Sequence, residues 1–480
     1  MDILFALTEL APYVKVGGLA DIASSLPKAL RALGHRVTLV LPRFPGFEAS
    51  GLLFARRLTP LTFALGGKTH EITLYDGRLP SQVDLILTDV SGLFDRPGVY
   101  GEGGEDYPDN ALRFALFSRA IVEIARVRAS EGQPFDLLHL NDWPTALAAR
   151  YVRDLPSLAG TTRTVLTLHN IAHQGIFPKD ILPSLGLPWE DFHVDGIEFY
   201  GSVNLLKQGI VSADAVTTVS PTHAREIQTE SGGFKLDGVA RAKGSIFGVL
   251  NGVDYSVWNP AIDAHLPARF DAEDPSNKGR CKGALQKELG LPIEGKAPLL
   301  ASVGRLVHQK GTDILTDAVP RLLRSTDAQI VVAGDGDPSL VARVEGAVAK
   351  GRGRVVFARA ASEPLVHRIL GGADFVAVPS RYEPCGLVQM YAQRYGALPI
   401  AHAAGGLVDT VVDCDAKLET GTGFIFTEPT EEGFVSAALR AFAARESPRF
   451  GVLLRRVMRA DRGWERAARQ YEAIYRSITK

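Results

Sequence analysis

The chain has 480 residues, enough for two or three domains, each with its own apolar core. Its 53 Lys and Arg against 54 Asp and Glu leave a formal charge of −1 with no block of cations. That excludes the electrostatic footprint of a nucleic-acid or anionic-membrane binder. Cys281, Cys385 and Cys414 are scattered, which excludes a disulfide framework and a paired CxxC metal site and fits a reducing compartment.

The opening residues Met1–Phe5 carry no basic region or cleavage site, so no signal peptide is expected. No apolar run reaches the roughly 20 residues of a membrane span. A cytoplasmic protein is the expectation, with no membrane and no nucleic acid among its partners. In chain order, apolar runs recur at Ile3–Leu7, Val37–Leu41, Val83–Leu87, Leu137–Leu140, Val165–Leu168 and Ala215–Val219. A second set follows at Leu299–Val303, Ile330–Ala333, Val355–Phe357, Phe375–Val378 and Leu398–Ala401. Such runs read as strands buried on both faces, and their alternation with helical spacing predicts βαβ units and parallel sheets. Between the first two runs, Leu19, Ile22, Ala23, Leu26, Leu30 and Leu33 form one apolar stripe, so a helix opens at Gly17-Gly18 and stops at Gly34. Pro27 inside it predicts a kink or a division into two pieces.

The pattern implies an α/β protein of two similar domains. The first runs over 1–245, a crossover with a turn at Asn251-Gly252 spans 246–260, and the second domain spans 261–455. A C-terminal helix within 456–480, carrying Trp464, Ala468, Tyr471 and Tyr475 at helical spacing, can dock on either domain, the N-terminal one included.

In parallel sheets ligands bind at the carboxyl ends of strands, and several unusual segments fall there. Lys15-Val16-Gly17-Gly18 precedes the first helix: glycines admit close backbone approach, the helix start offers N–H groups to an anion, and Lys15 adds a full charge. The same segment also reads as a Gly-rich turn beside a solvated lysine. It is neither GxGxxG nor GxxxxGK[ST]. Arg305 and Lys310, in the loop after Leu299–Val303, are two cations suited to a departing pyrophosphate, or simply two surface charges. Glu383, after Phe375–Val378, can accept hydrogen bonds from sugar hydroxyls, with the Cys385 and Gly386 N–H groups at a helix start aimed at the same place; otherwise it is a helix-capping carboxylate. Cys385 reads as a small packed residue rather than a nucleophile. Gly405-Gly406 precedes an apparent helix at Val408–Val412. His139, Asp142 and His169 end two strands of the first domain. A hydrolase triad lacks its GxSxG serine, and a metal site from His139, Asp142, His169 and His173 lacks recognisable spacing.

Together these segments resemble the bacterial glycogen synthase and plant starch synthase family. The resemblance is carried by Lys15-Val16-Gly17-Gly18-Leu19-Ala20-Asp21, Tyr107-Pro108-Asp109-Asn110, Asn141-Asp142-Trp143 and Leu168 through Gly175. It continues through Val219-Ser220-Pro221-Thr222, Leu250 through Asp254, Gly304 through Gly311, Pro379 through Leu387 and Gly405 through Val411. It implies two Rossmann-like domains facing a central cleft (the GT-B glycosyltransferase fold), the N-terminal one on the acceptor side and the C-terminal one on the donor side. It implies transfer of glucose from ADP-glucose to the non-reducing end of an α-1,4-glucan such as glycogen, with retention, no metal and no cofactor.

By the same resemblance Lys15 serves the donor phosphate, with Gly17 and Gly18 beside it. Arg305 and Lys310 stabilise the departing diphosphate, and Glu383 holds the glucose hydroxyls. His169 lies beside the reacting sugar with Asp142 near it. Asp21, Asn251, Cys385, Gly386, Gly405 and Gly406 contact the substrate. The chain departs from the family pattern at Asn141, where histidine is common, at Pro144, and at Ala404, where a threonine hydroxyl is lost. Tyr391 stands where other branches carry a second glutamate. A glucan phosphorylase would need a pyridoxal phosphate lysine site, and an NAD-dependent oxidoreductase would need GxGxxG.

Overall fold

Every continuous apolar run named above is a strand of the computed structural model, which describes residues 1–479. The central ones are buried on both faces, with Ile3, Leu4, Phe5, Leu300, Ile330 and Phe375 showing no exposed surface, while the edge strand Val355–Arg359 is buried only at Val355. By contact the chain divides into two units, one made of Met1–Gly252 with the segment from Trp464 onward, the other of Val253–Gly463.

The first unit holds a ten-stranded sheet. Its parallel part runs Ile246–Gly248, Ala215–Thr218, Arg163–Leu168, Leu137–Asn141, Asp2–Ala6, Arg36–Pro42, Asp84–Asp89. Lys68–Arg78 extends it antiparallel and pairs in turn with Phe54–Arg56 and Leu61–Leu65. Ile246–Gly248, at the start of the expected crossover, is thus the edge strand of the first sheet, and the boundary between units falls after Gly252. The chain enters at Asp2–Ala6, steps to one side through Arg36–Pro42 and Asp84–Asp89, then returns to the other side at Leu137–Asn141. That reversal leaves a crevice outside the carboxyl ends of Asp2–Ala6 and Leu137–Asn141, because their crossover helices lie on opposite faces.

The second unit repeats the device. Its six strands run Val355–Arg359, Gln329–Gly334, Leu299–Val303, Phe375–Val378, Leu398–His402, Phe424–Phe426, each parallel to its neighbours. Here the order reverses between Leu299–Val303 and Phe375–Val378. The helices Thr312–Ser325 and Glu431–Arg445 supply Ile314, Leu315, Leu322, Phe434 and Ala441 to the core beneath this sheet.

One expectation is corrected. The helix Gly18–Ala32 is continuous through Pro27 rather than divided. Proline removes one internal N–H, and its ring is buried on the same apolar face as Leu26 and Leu30, so packing outweighs the lost bond. Gly34, at φ +90°, ends it as expected and donates its N–H to the Arg31 carbonyl at 2.9 Å. The C-terminal helix runs Trp464–Ile478, inside the expected 456–480, and a further helix, Phe450–Arg459, precedes it. They separate at Ala460–Gly463, where the Val253 N–H binds the Arg462 carbonyl at 2.6 Å and takes the chain out of helical pairing. The last helix buries Trp464, Ala468, Tyr471 and Tyr475 in the first unit, where the Tyr475 hydroxyl meets His139 Nδ1 at 2.5 Å.

Candidate active site

The loop after Asp2–Ala6 is organised by a carboxylate that the sequence reading missed. Glu9 is 4% exposed, and its Oε2 accepts the N–H groups of Val16 (2.9 Å) and Gly17 (2.7 Å). Its Oε1 accepts the Tyr100 hydroxyl at 3.0 Å. The Gly17 N–H is therefore held by the protein's own carboxylate in this structure. Gly17 caps the helix and Gly18 is its first residue. Lys15 Nζ donates to Asp21 Oδ1 at 2.8 Å across the first helical turn, and both side chains keep solvent access. These two sequence candidates are thus one ion pair at the mouth of the loop.

At the neighbouring strand end, Asp142 adopts φ +54° to start the helix Trp143–Arg153. Its Oδ1 accepts the backbone N–H of His169 at 2.7 Å and that of Asn170 at 3.4 Å. Burial pushes its carboxyl up to about 7, and the two N–H groups only partly offset this. His169 Nε2 lies 2.8 Å from Asn141 Oδ1. Burial lowers its imidazole to about 3, so the ring is neutral at pH 7. His169 Nδ1 and Asn251 Oδ1 are buried with no partner among the described residues. Each such acceptor costs about 1–3 kcal/mol.

The alternative metal set does not assemble. His139 is fully buried with both nitrogens engaged, Nδ1 by Tyr475 and Nε2 by Thr167 Oγ1 at 2.6 Å. Among the described residues no group of three or more His, Cys, Asp or Glu is placed to hold an ion.

At the reversal of the second sheet lies a concavity open to solvent, lined by Arg305, Lys310, Ser380, Glu383, Gly386 and Gln389 among others. Lys310 Nζ donates to Glu383 Oε2 at 2.5 Å, and Ser380 Oγ donates to the same oxygen at 3.0 Å. The Glu383 side chain is 7% exposed and that of Lys310 32%. Arg305 is exposed, and its guanidinium makes no hydrogen bond or ion pair among the described residues. Two loops distant in sequence are tied here. Arg381 binds Asp313 at 2.8 and 2.7 Å, its N–H donates to the Gln309 carbonyl, and Gln309 Nε2 reaches the Tyr382 carbonyl at 3.0 Å.

The structure alters two local expectations. The helix after Glu383 begins at Val388, so Cys385 and Gly386 sit in the turn before it rather than at its start. Gly386, at φ +72°, makes that turn, and Gln389 Nε2 fills its inside by donating to the Cys385 and Gly386 carbonyls. The helix expected at Val408–Val412 runs Gly406–Thr410, and Gly405 at φ +46° precedes it. The Gly406 N–H donates to the Glu383 carbonyl at 3.0 Å, which joins the two glycine-bearing turns.

Gly311 shows how tight this construction is. It sits at φ +67°, and a Cβ there would lie 2.1 Å from the Pro379 carbonyl oxygen. Gly311→Ala is expected to push apart the loops that carry Lys310 and Glu383, destabilising the chain by about 2–4 kcal/mol. Denaturant melts together with turnover check this, and wild-type values in both would reject it.

This pairing of two parallel α/β domains has counterparts. The catalytic domain of starch synthase IV from Arabidopsis thaliana, solved bound to ADP and acarbose, matches with a TM-score of 0.90 at 33% identity, covering 100% of this chain and 99% of that one. Sucrose-phosphate synthase from Thermosynechococcus elongatus, at 18% identity and TM-score 0.61, shares the fold. The fold is GT-B, built from two Rossmann-like domains, and the chain is a glycosyltransferase, an enzyme that transfers glucosyl groups. Residues 2–242 match the starch synthase catalytic domain, and residues 287–449 match the glycosyl transferases group 1 domain. A glycogen synthase from Anaeromyxobacter dehalogenans (strain 2CP-C) is 43% identical over 486 residues, covering 100% of both chains. The chain belongs to the glycogen synthase family.

Proposed function

We propose that the protein transfers glucose from ADP-glucose to the non-reducing end of an α-1,4-glucan, with retention at the anomeric carbon, in glycogen biosynthesis. The observation that carries this reading is the pocket at the second sheet's reversal, where Lys310 and Glu383 meet beside the exposed Arg305.

The bond between the anomeric carbon and the diphosphate oxygen breaks as the glucan 4-hydroxyl oxygen attacks from the same face. The diphosphate leaves with the bonding pair, and its oxygen takes the hydroxyl proton, so no protein base is needed. Arg305 and Lys310 neutralise the leaving anion, with Lys15 serving the donor phosphate and Asp21 orienting Lys15. Glu383 accepts hydrogen bonds from glucose hydroxyls. Asn251, Cys385, Gly386, Gly405, Gly406 and the Gly17-Gly18 turn shape the donor contacts. His169 is neutral beside the reacting sugar, which suits a centre that develops positive charge. Asp142 positions His169 through its backbone N–H and, when ionised, adds a negative charge favourable to an oxocarbenium-like sugar. The chemistry calls for neither metal nor cofactor.

A cytoplasmic location belongs to the same reading and is supported by cysteines held as buried thiols. Among the described residues no helix is long and apolar enough to cross a membrane.

Incubation with ADP-glucose or UDP-glucose plus glycogen, following nucleotide release and polymer growth, tests the proposal. ADP release with glucan growth is the expected result. Release of neither nucleotide overturns the reading, and faster UDP release overturns the donor assignment.

A further inference from the structure

We infer that Asn141 is a positioning residue that sets which nitrogen of His169 carries the proton. The inference rests on the functional reading above only for its effect on rate; the tautomer itself follows from geometry.

Asn141 ends a central strand and is 1% exposed. Its backbone is clamped by Thr145, whose Oγ1 accepts the Asn141 N–H at 2.7 Å and donates to its carbonyl at 2.9 Å. Its amide orientation is decided by Ala6: a backbone carbonyl only accepts, so the group 2.9 Å from it is the donor Nδ2. The other amide atom, Oδ1, therefore faces His169 Nε2 at 2.8 Å. An amide oxygen only accepts, so Nε2 bears the proton. A neutral imidazole has one N–H, which leaves Nδ1 as a lone pair, and Nδ1 is the ring atom found buried without a partner. Asn141 thus reads as the device that holds a neutral ring in one tautomer and orientation. Its own amide cannot ionise, so the ring gains no charged partner through this contact.

Three other titratable groups surround this arrangement. The Asp142 carboxylate engages the His169 backbone N–H rather than its ring. His139, on the same strand as Asn141, has both nitrogens occupied. Glu9, on the loop after Asp2–Ala6, is spent on Val16, Gly17 and Tyr100. None of these supplies the ring contact that Asn141 makes.

Selective ¹⁵N-histidine labelling of the full chain, with His169 assigned by its own substitution, reads the tautomer directly. The wild type is expected to show a protonated Nε2 and a bare Nδ1 between about pH 6 and about pH 8. Asn141→Asp places a carboxylate against Nε2–H and is expected to convert His169 to imidazolium, with turnover at pH 6 lower by about tenfold and recovering as pH rises. Asn141→His, which can accept through its own bare ring nitrogen, is expected to restore the wild-type tautomer and most of the turnover. Asn141→Ala separates packing from tautomer: circular dichroism reports whether it folds, and its His169 signals should show mixed tautomers.

A wild-type His169 protonated on Nδ1, or signals unchanged in both Asn141→Asp and Asn141→Ala, would overturn the inference. A correct tautomer with no glucosyl transfer by the wild type would instead sink the functional reading and leave the geometry standing.

Discussion

Glu383→Ala is expected to lower turnover with ADP-glucose by about a hundred- to a thousandfold, the loss seen when one preorganised polar group is removed from a transition state. Its carboxylate is more buried than the Lys310 ammonium beside it and is held by Lys310 and Ser380 on one oxygen. That leaves the other oxygen to meet a sugar hydroxyl. Stability should change little, by about 1 kcal/mol, because Lys310 is a third exposed and can be resolvated. Lys310→Ala is expected to behave differently. Turnover falls by a similar factor, but the chain also loses about 1–3 kcal/mol, because a nearly buried carboxylate is left with a single hydroxyl donor. Measuring kcat and melting temperature for both variants separates the two roles. Near-normal turnover in Glu383→Ala would reject its assignment, and equal melting temperatures would reject the asymmetry.

Asp142→Asn should stabilise the protein at alkaline pH while impairing it as an enzyme. Burial raises the Asp142 carboxyl from 3.8 to about 7. The folded state therefore holds this proton more tightly than the unfolded state does. Wild-type stability declines on this account as pH rises from about 4 to about 7, then levels. Asparagine tolerates the φ of +54° and keeps an oxygen for the His169 N–H at 2.7 Å, so it retains the contact without the buried charge. The full shift corresponds to about 4 kcal/mol, and with partial solvent access about 2 kcal/mol is expected at pH 8. Thermal melts at several pH values should show the gap between variant and wild type opening up to about pH 7 and closing towards about pH 4. Turnover should drop, because the negative charge near the reacting sugar is gone, and wild-type turnover should rise with pH through the same window. A variant no more stable than wild type at pH 8 would reject the raised carboxyl.

The sequence reading and the structure agree where burial is uniform. The runs around Ile3, Leu137, Leu299 and Phe375 are apolar on both faces, and such runs have few alternatives to a central parallel strand. The strand Leu61–Leu65 escaped notice because only alternate residues, Leu61, Phe63 and Leu65, are buried. The short edge strands Ile246–Gly248 and Phe424–Phe426 lack the length to stand out. Pro27 misled because its local cost is real, while the packing that outweighs it lies in other elements.

By itself the sequence determined two parallel α/β domains, their family and the residue types at each strand end. Glycine, lysine, arginine and glutamate carry their chemistry wherever the chain places them. Only the tertiary structure decided which strand ends are adjacent, since strand order depends on pairings between residues far apart in the chain. Through that order Lys310 meets Glu383, 73 positions away. Asn141, which looked like a lapse from a pattern, meets His169 in the same way. Tertiary placement also gave the Gly17 N–H a partner, Glu9, that no local pattern announced. A buried polar atom takes its role from the partner it finds, and partners are properties of the fold rather than of the local sequence.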